Sequence, residues 1–220
     1  MKASISNTVA AGIASVVFLL FSLSGLAQTR TAMDIQAWPR GEVILASGDT
    51  LSGELLFYRT QDVVNVQHAD GTISSCTPVN VQYFVAHDVT GGTSHTFRTF
   101  RWDQDRDYTD FKKPAFFEQL NEGPITLMAR ETYVPRSSYG KHNAAYYLPA
   151  ASQAADQVVE LYYALLPGGD IVPLHNVRKS LFKLFGKKST KVKDFMKQQN
   201  LSFDQPNDIV AVVNYFNALQ

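Results

Sequence analysis

Short runs in which apolar and polar residues alternate, separated by tight turns, dominate the chain between residues 42 and 85. Residues 51–57 show the clearest alternation, which is the period of a half-buried strand. Turn residues at 47–49 (Ser-Gly-Asp) and 69–71 (Ala-Asp-Gly) interrupt the pattern. Five short strands at this spacing predict a small barrel or a strongly curved sheet over residues 41–88.

Two further strand pairs follow the barrel-like segment. Runs at 115–120 and 125–131 flank the turn Asn-Glu-Gly-Pro, and runs at 158–166 and 171–174 flank Pro-Gly-Gly-Asp. Glycine and proline at such positions are typical of hairpin turns. We therefore expect these hairpins to extend the first sheet.

The apolar spacing changes from a strand period to a helical period after residue 174. Val177, Leu181, Leu184 and Phe185 share one helical face, and Gly186 is a plausible end of that helix. Two more helices are predicted, capped by Ser189 or Thr190 and by Asn207 or Asp208. The predicted fold class is α+β: a mostly antiparallel body over residues 28–175, then a basic three-helix cap over 176–220 that packs on the body.

The first 27 residues read as an export signal. Lys2 precedes an apolar run over residues 9–26, and small residues lead to a cleavage site after Ala27. An uncleaved membrane anchor is the alternative, but several serines dilute the run. We expect an exported protein, in the periplasm or released, whose mature chain begins at Gln28.

Charge is divided unevenly along the chain. Residues 28–170 carry a net charge of −6 and residues 171–220 a net charge of +5. An acidic body with a basic tail indicates docking of the tail on the body, or contact with an anionic surface. The single cysteine, Cys76, excludes an intrachain disulfide and is expected to be a small buried residue.

The opening strands resemble a known small barrel. The run from Glu42 through Gly53, followed by Asp-Val-Val-Asn-Val at 62–66 and Asp-Gly at 70–71, is similar to the first three strands of SH3-like or Sm-like barrels. Gly53 stands where a bent strand needs a residue without a side chain. The resemblance covers about a fifth of the chain and implies a fold, without the RNA binding of Sm proteins.

The layout of the whole chain also resembles secreted proteins of unknown function from Bacteroidota-type bacteria. The residues that carry this likeness are the glycines at 41, 48 and 53, the run Phe-Phe-Glu-Gln-Leu at 116–120 with Gly123, and the closing Tyr-Phe-Asn at 215–217. The resemblance implies an envelope or extracellular location and no particular chemistry.

One acidic segment has carboxylates at alternate positions. Asp103, Asp105 and Asp107 resemble the opening of a calcium loop, in which oxygen donors converge on one cation. The sixth position is Tyr108 and the twelfth is Pro114, where such a loop has glycine and glutamate. A solvated acidic loop is therefore the favoured interpretation, with calcium as a weak alternative.

Catalytic motifs are absent from the sequence. The five histidines are scattered without metal-ligand spacing, no Gly-x-Ser-x-Gly segment occurs, and the glycine pairs lack a phosphate-loop context. We expect no catalytic residues and no cofactor. The alternative, from another functional class, is a periplasmic hydrolase or carbohydrate-processing enzyme, which would require two carboxylates or a His–Ser pair in a deep pocket.

The basic tail is the remaining candidate for function. Lys183, Lys187, Lys188 and Lys191 are the predicted interaction residues. Their simplest interpretation is a solvated helix face, and the functional one is contact with an envelope protein or an anionic surface such as lipid or lipopolysaccharide. Export argues against nucleic acid as the partner. The oligomeric state has no signature in the sequence.

Overall fold

The chain folds into an antiparallel sheet followed by a helical region. A computed structural model describes residues 34–89, 92–104, 111–134 and 157–219. The strands within these ranges are β1 (Ile35–Leu45), β2 (Thr50–Tyr58), β3 (Val63–Gln67), β4 (Ile73–Cys76), β5 (Val81–His87), β6 (Ser94–Trp102), β7 (Lys113–Gln119), β8 (Thr126–Val134), β9 (Gln157–Leu165) and β10 (Ile171–Pro173). The helices are α1 (Val177–Phe185), α2 (Ser189–Gln199) and α3 (Pro206–Ala218).

The ten strands described form one open sheet, in the order β10-β9-β8-β7-β6-β5-β1-β2-β3-β4. All neighbours are antiparallel, as the tight turns predict. Of the two predicted alternatives, a closed small barrel is wrong, because β4 and β10 are the ends of the sheet and no ladder joins them in the described ranges. The mostly antiparallel sheet with a C-terminal helical region is confirmed.

Side chains bring the turn between β2 and β3 against β7 and β8. Among the described residues, no backbone ladder joins β2 or β3 to β7 or β8. Arg59 donates from Nε to Glu131 Oε2 at 2.7 Å. Asp62 accepts from the backbone N–H of Phe116 at 3.3 Å and from Arg130 at 3.4 Å. The paired part of β7 and β8 is restricted to two residue pairs. The N–H and carbonyl of Phe116, which lie outside these pairs, bond to Asp62 and Arg130 instead.

Aromatic residues of β1, β2, β5, β6 and β7 fill the concave face of the first part of the sheet. Phe84 and Phe97 stack with ring centroids 4.5 Å apart, and Phe116 meets Phe84 edge-on at 5.1 Å. We call this cluster the first core; it consists of Trp38, Val43, Leu55, Phe57, Val64, Val66, Cys76, Val81, Phe84, Ala86, Phe97 and Phe116.

The helices cover the other end of the sheet. Apolar residues of all three helices pack on Ile125, Leu127 and Ala164, and Phe185 stacks on Phe216 at 4.5 Å. We call this cluster the second core; its buried members are Ile125, Leu127, Ala164, Leu174, Leu181, Phe185, Val192, Ile209, Val212, Val213 and Phe216.

The expectation of three separate helices needs correction. α1 and α2 follow each other through a 3-10 turn at Gly186–Lys188, so residues 177–199 form one helical stretch and 206–218 a second. Gly186 ends α1 with φ 52°, as predicted. The other predicted caps are wrong: Ser189 is already helical and donates to the carbonyl of Phe182, and α3 begins at Pro206, before the proposed cap residues.

Strand β6 was not predicted from the sequence. Its residues Ser94–Trp102 place Phe97 in the first core and Phe100 and Trp102 against a third cluster, formed by Ala115, Phe117, Met128 and Tyr163 on the opposite face. Apolar residues therefore lie on both faces, and the alternation that marks β2 is missing.

Asparagines join α3 to the turn between β7 and β8. Asn217 accepts from the N–H of Ile125 at 3.0 Å and donates to its carbonyl at 2.8 Å. A Cβ on Gly123, where φ is 149°, would lie 2.5 Å from the Asn217 amide nitrogen. The segments 116–123 and 215–217, singled out for the resemblance to secreted proteins, thus meet at this junction.

Candidate functional site

The predicted interaction lysines gather around the junction of α1 and α2. Lys183 lies in the last turn of α1, Lys187 in the 3-10 turn and Lys191 in the first turn of α2. All three side chains belong to exposed residues. We call these three residues the basic junction.

Lys188 differs from its neighbours because it is held by the protein. Its Nζ donates to the carbonyl of Leu219 at 2.5 Å and lies 5.8 Å from the centre of the Phe216 ring. A cation at this place satisfies a carbonyl beyond the C-terminal end of α3. Lys188 therefore fastens the two helical stretches and leaves Lys183, Lys187 and Lys191 as the outward-facing group.

No carboxylate of the described residues lies within salt-bridge distance of the basic junction. The ion pairs among the described residues belong instead to the strands and turns of the sheet, where the cations are Arg59, His95, Lys112 and Arg130. Among the described residues, the basic helices therefore form no ion pair with the acidic body. The side chains of Lys183, Lys187 and Lys191 are exposed.

A groove of about 780 Å³ lies between α1, α2 and the segment that leads to α3. We call it the helical groove. Three cations line it, Arg178, Lys193 and Lys197, and Asp204 is the one carboxylate among the lining residues. The remaining walls are apolar or neutral: Asn176, Val177, Phe182, Met196, Asn200, Leu201, Ser202 and Phe203.

A second concavity, of about 720 Å³, lies on the outer face of β1, β2 and β3 and under the turn after β5. We call it the sheet cleft. Glu42 and Glu54 line it, and both are exposed. Since Glu42 pairs with Ser52, Glu54 is the diagonal neighbour of Glu42 on the adjacent strand. The Cα atoms of such neighbours are roughly 7–8 Å apart.

Two glycines allow the strands to bend at the sheet cleft. Gly41 and Gly53 face each other in the register of β1 and β2. A Cβ at Gly41 would lie 2.5 Å from the carbonyl oxygen of Val85, and one at Gly53 would lie 2.3 Å from that of Gln67. The close approach of backbones explains both glycines.

Two histidines in the sheet cleft bond to serines. His68 Nε2 is 2.9 Å from Ser74 Oγ, and His87 Nδ1 is 2.9 Å from Ser94 Oγ. A catalytic set of this kind also needs a carboxylate bonded to the other ring nitrogen. The adjacent carboxylate, Asp88, bonds to His95 instead, so the described residues do not complete a triad at His87.

His95 joins the turn after β5 to strand β7. Its Nδ1 is 2.6 Å from Glu118 Oε1 and its Nε2 is 3.2 Å from Asp88 Oδ2. The hydrogen bond to Glu118 raises the pKa of His95 to about 9. Partial burial opposes this shift, and the charges of both carboxylates reinforce it. His95 is therefore a cation at neutral pH whose two nitrogens are both engaged, which suits a structural tie better than a general base.

Glu118, Glu131 and Glu160 form an acidic row on the same face of the sheet, between the first and second cores. Each has a partner: His95 for Glu118, Arg59 for Glu131 and the hydroxyl of Tyr162 for Glu160. Burial raises the pKa of Glu160, although the Tyr162 hydrogen bond acts in the opposite direction. Desolvation and the bond to Glu160 raise the pKa of Tyr162. Each carboxylate of the row therefore has a hydrogen-bond or ion-pair partner within the protein.

The calcium candidate is mostly outside the described residues. Asp103 follows β6, whereas Asp105 and Asp107 lie beyond the described range, as does the export signal at 1–27. Among the residues that the structure does describe, no group of three His, Cys, Asp or Glu side chains is arranged to hold a metal ion.

Cys76 is buried in the first core, as predicted. Burial raises the pKa of its thiol, which keeps the sulfur protonated and unreactive at neutral pH.

The described residues contain no helix that is long and apolar enough to cross a membrane.

Comparisons with protein-family models, with curated proteins and with solved structures find no match to this chain. The site must therefore be interpreted from its own chemistry. The sequence pattern anticipated the basic junction. It did not anticipate the helical groove or the sheet cleft, because their residues come from separate elements. For the sheet cleft, the one available signal was the pair Glu42 and Glu54, which follow Gly41 and Gly53 on the two strands of a predicted hairpin.

Proposed function

We propose that this protein is an exported, non-enzymatic module of the cell envelope or the secreted fraction that binds an anionic lipid surface. The observation that carries the proposal is the basic junction, in which three exposed lysines have no carboxylate partner among the described residues. Cations that are not neutralised within the protein attract anionic headgroups, at about 1 kcal/mol for each lysine near the surface.

The location of the positive charge supports this proposal over one in which the tail docks on the body. The helical region packs on the sheet through apolar residues and through the hydrogen bonds of Asn214 and Asn217, while the ion pairs of the described residues lie in the β-sheet region. Export remains part of the proposal, on the basis of the signal-like residues 1–27 and cleavage after Ala27.

Vesicle co-sedimentation of the purified protein tests the surface. Vesicles of phosphatidylcholine with one quarter phosphatidylglycerol should bind it, and pure phosphatidylcholine vesicles should not. The triple variant Lys183→Gln, Lys187→Gln, Lys191→Gln should bind about a hundredfold more weakly, since each lysine contributes about 1 kcal/mol. Binding should also weaken as salt is added, because salt screens exposed charges.

A matched control removes three exposed positive charges of the sheet that have no ion pair among the described residues: Arg40→Gln, Arg101→Gln and Lys113→Gln. Equal losses in the two triple variants would show that only total charge matters and would contradict the proposed surface. Export is tested separately, by N-terminal sequencing of the protein recovered after expression of the full chain in bacteria. A sequence that starts at Gln28 is expected, and retention of Met1 would contradict cleavage after Ala27.

The sheet cleft favours a second candidate function, a periplasmic hydrolase that acts on carbohydrate. Glu42 and Glu54 share the outer face of two adjacent strands in a concave site. Two carboxylates about 6.5–9.5 Å apart are the pair that inverting glycosidases use as acid and base. A screen with chromogenic glycosides, repeated with Glu42→Gln and Glu54→Gln, tests it. Hydrolysis that either substitution abolishes would establish the enzyme, and no hydrolysis of any glycoside would remove it.

A further inference from the structure

We propose that the helical groove binds one lipid molecule that carries a phosphate monoester, with the phosphate between Arg178, Lys193 and Lys197 and an acyl chain along the apolar wall. This inference rests on the proposed function, which it deepens by naming the kind of lipid and the place where its headgroup is held. The groove, of about 780 Å³, lies in the size range of small-molecule sites.

The cations of the groove determine the charge of the ligand. Arg178 comes from the first turn of α1, and Lys193 and Lys197 are one turn apart on α2. All three are exposed residues without an ion pair among the described residues. A phosphate monoester carries a charge of about −1.5 to −2 at neutral pH and accepts several charge-assisted hydrogen bonds, so it matches the three cations that line the groove.

The one carboxylate in the groove does not neutralise these cations. Asp204 accepts from the Ser202 hydroxyl at 2.7 Å, and Ser202 in turn donates its backbone N–H to Asp208 at 2.9 Å. Both carboxylates are thus used within the turn that leads to α3. The groove keeps a positive excess, which favours an anionic occupant over a neutral or cationic one.

The apolar wall determines the other half of the ligand. Phe182 and Phe203 meet edge-to-face at 5.5 Å, and the Lys193 ammonium lies 5.1 Å from the centre of the Phe182 ring. Met196 and Leu201 continue this surface, and all four apolar residues are only partly buried on the edge of the second core. A purely polar anion would leave this wall exposed to water, whereas an acyl chain would cover it.

Isothermal titration with a soluble, short-chain lipid separates this site from the vesicle surface. The probe is dihexanoylphosphatidic acid below its critical micelle concentration. Its comparison ligands are dihexanoylphosphatidylcholine, glycerol 3-phosphate and inorganic phosphate. We expect the phosphatidic acid to bind most tightly, and its dibutanoyl analogue to bind more weakly by about two- to fourfold for each methylene lost from the wall.

Two double variants locate the binding. Lys193→Gln with Lys197→Gln should weaken phosphatidic acid binding by at least about tenfold. Lys187→Gln with Lys191→Gln removes the same charge from the basic junction and should change this binding less than about twofold. If loss of Lys193 impairs folding, Arg178→Gln with Lys197→Gln replaces the first variant.

Each other outcome overturns the inference. Equal weakening in both double variants would show diffuse charge attraction, and equal affinity for glycerol 3-phosphate or inorganic phosphate would show a free phosphate site. Absence of phosphatidic acid binding while the wild type still binds anionic vesicles would remove the groove site and leave the proposed function intact. Failure of the vesicle experiment itself would remove the proposed function.

Discussion

The two ends of the sheet bury the same face in different ways. The first six strands curve around an aromatic core, and the turn between β2 and β3 reaches β7 and β8 through Arg59 and Asp62. The last strands stay open and are covered by helices. The curved end therefore forms ion pairs within the sheet, while the helical end presents lysines that have no ion pair among the described residues.

This difference shows why the basic charge collects at the helical end. In a strand that is buried on one face, only alternate residues can carry exposed charged side chains. Several charged side chains of this sheet form ion pairs with side chains of other strands or turns. A helix that covers a sheet presents a wide polar face to solvent. Lys183, Lys187 and Lys191 lie on that polar side, between the buried residues Leu181, Phe185 and Val192.

The largest effect is expected from the curved end. Phe84→Ala removes a ring that is fully buried among Phe57, Phe97 and Phe116, and it should lower the free energy of unfolding by about 3–5 kcal/mol. Urea denaturation followed by tryptophan fluorescence measures it. Ile73→Ala, at a residue that is 60% exposed, is the control with little effect. A loss below about 1 kcal/mol for Phe84→Ala would show that the aromatic core is not tightly packed.

The side-chain bridge between the curved end and β7–β8 should have the next largest effect. Burial raises the pKa of Asp62, and the charge of Arg130 opposes this. Arg130→Met leaves the Asp62 carboxylate unpaired and the carbonyl of Phe116 without its 2.6 Å donor. We expect a loss of about 2–4 kcal/mol in urea denaturation.

Addition of Asp62→Asn to this variant provides the control for the bridge. Removing the buried charge should restore part of the stability that Arg130→Met loses. A double variant that is as unstable as the sum of both single variants would contradict a charge bridge.

The junction between α3 and the β7–β8 turn should contribute less. Asn217→Ala removes two hydrogen bonds to the backbone of Ile125. It should cost about 1–3 kcal/mol because the N–H becomes unsatisfied and the carbonyl keeps only the Asn121 amide as a donor, at 3.3 Å. Asn214→Ala is the matched control, since exposed Asn214 makes a single bond to Asn121. Equal losses for the two variants would argue against a specific role for Asn217.

The His95 tie should have the smallest effect, and it depends on pH. The pKa of His95 is about 9 in the folded protein against about 6.5 in an unfolded chain. Its stabilisation is complete below pH 6.5, declines as the pH rises, and is lost above about pH 9. The difference in stability between the wild type and His95→Gln, roughly 1 kcal/mol after solvent screening, should therefore decrease from pH 6 to pH 10. A pH-independent difference would contradict the tie.

Much of the sheet was predictable because its strands have one buried face. The alternation at 51–57 and the turn residues at 69–71 and 167–170 placed β2, β3 and the β9–β10 hairpin. Strand β6 escaped prediction because both of its faces contact aromatic residues. Closure of a barrel depends on long-range pairing, which a local pattern does not encode.

The candidate site was predictable only where one segment supplies it. The lysines of the basic junction are close in sequence, so their charge was evident. The role of Lys188 was not, because its partner Leu219 is 31 residues away. The sheet cleft and the helical groove were missed for the same reason. Each combines side chains from elements that come together only through the register of the sheet and the packing of the helices.

Hydrogen exchange of the protein on anionic vesicles tests the central claim most directly. If the basic junction and the helical groove meet the lipid, amide protection should increase within residues 177–199, and the strands that line the sheet cleft should exchange as they do in solution. Increased protection in β1–β3, or no change anywhere with the protein bound, would contradict the account.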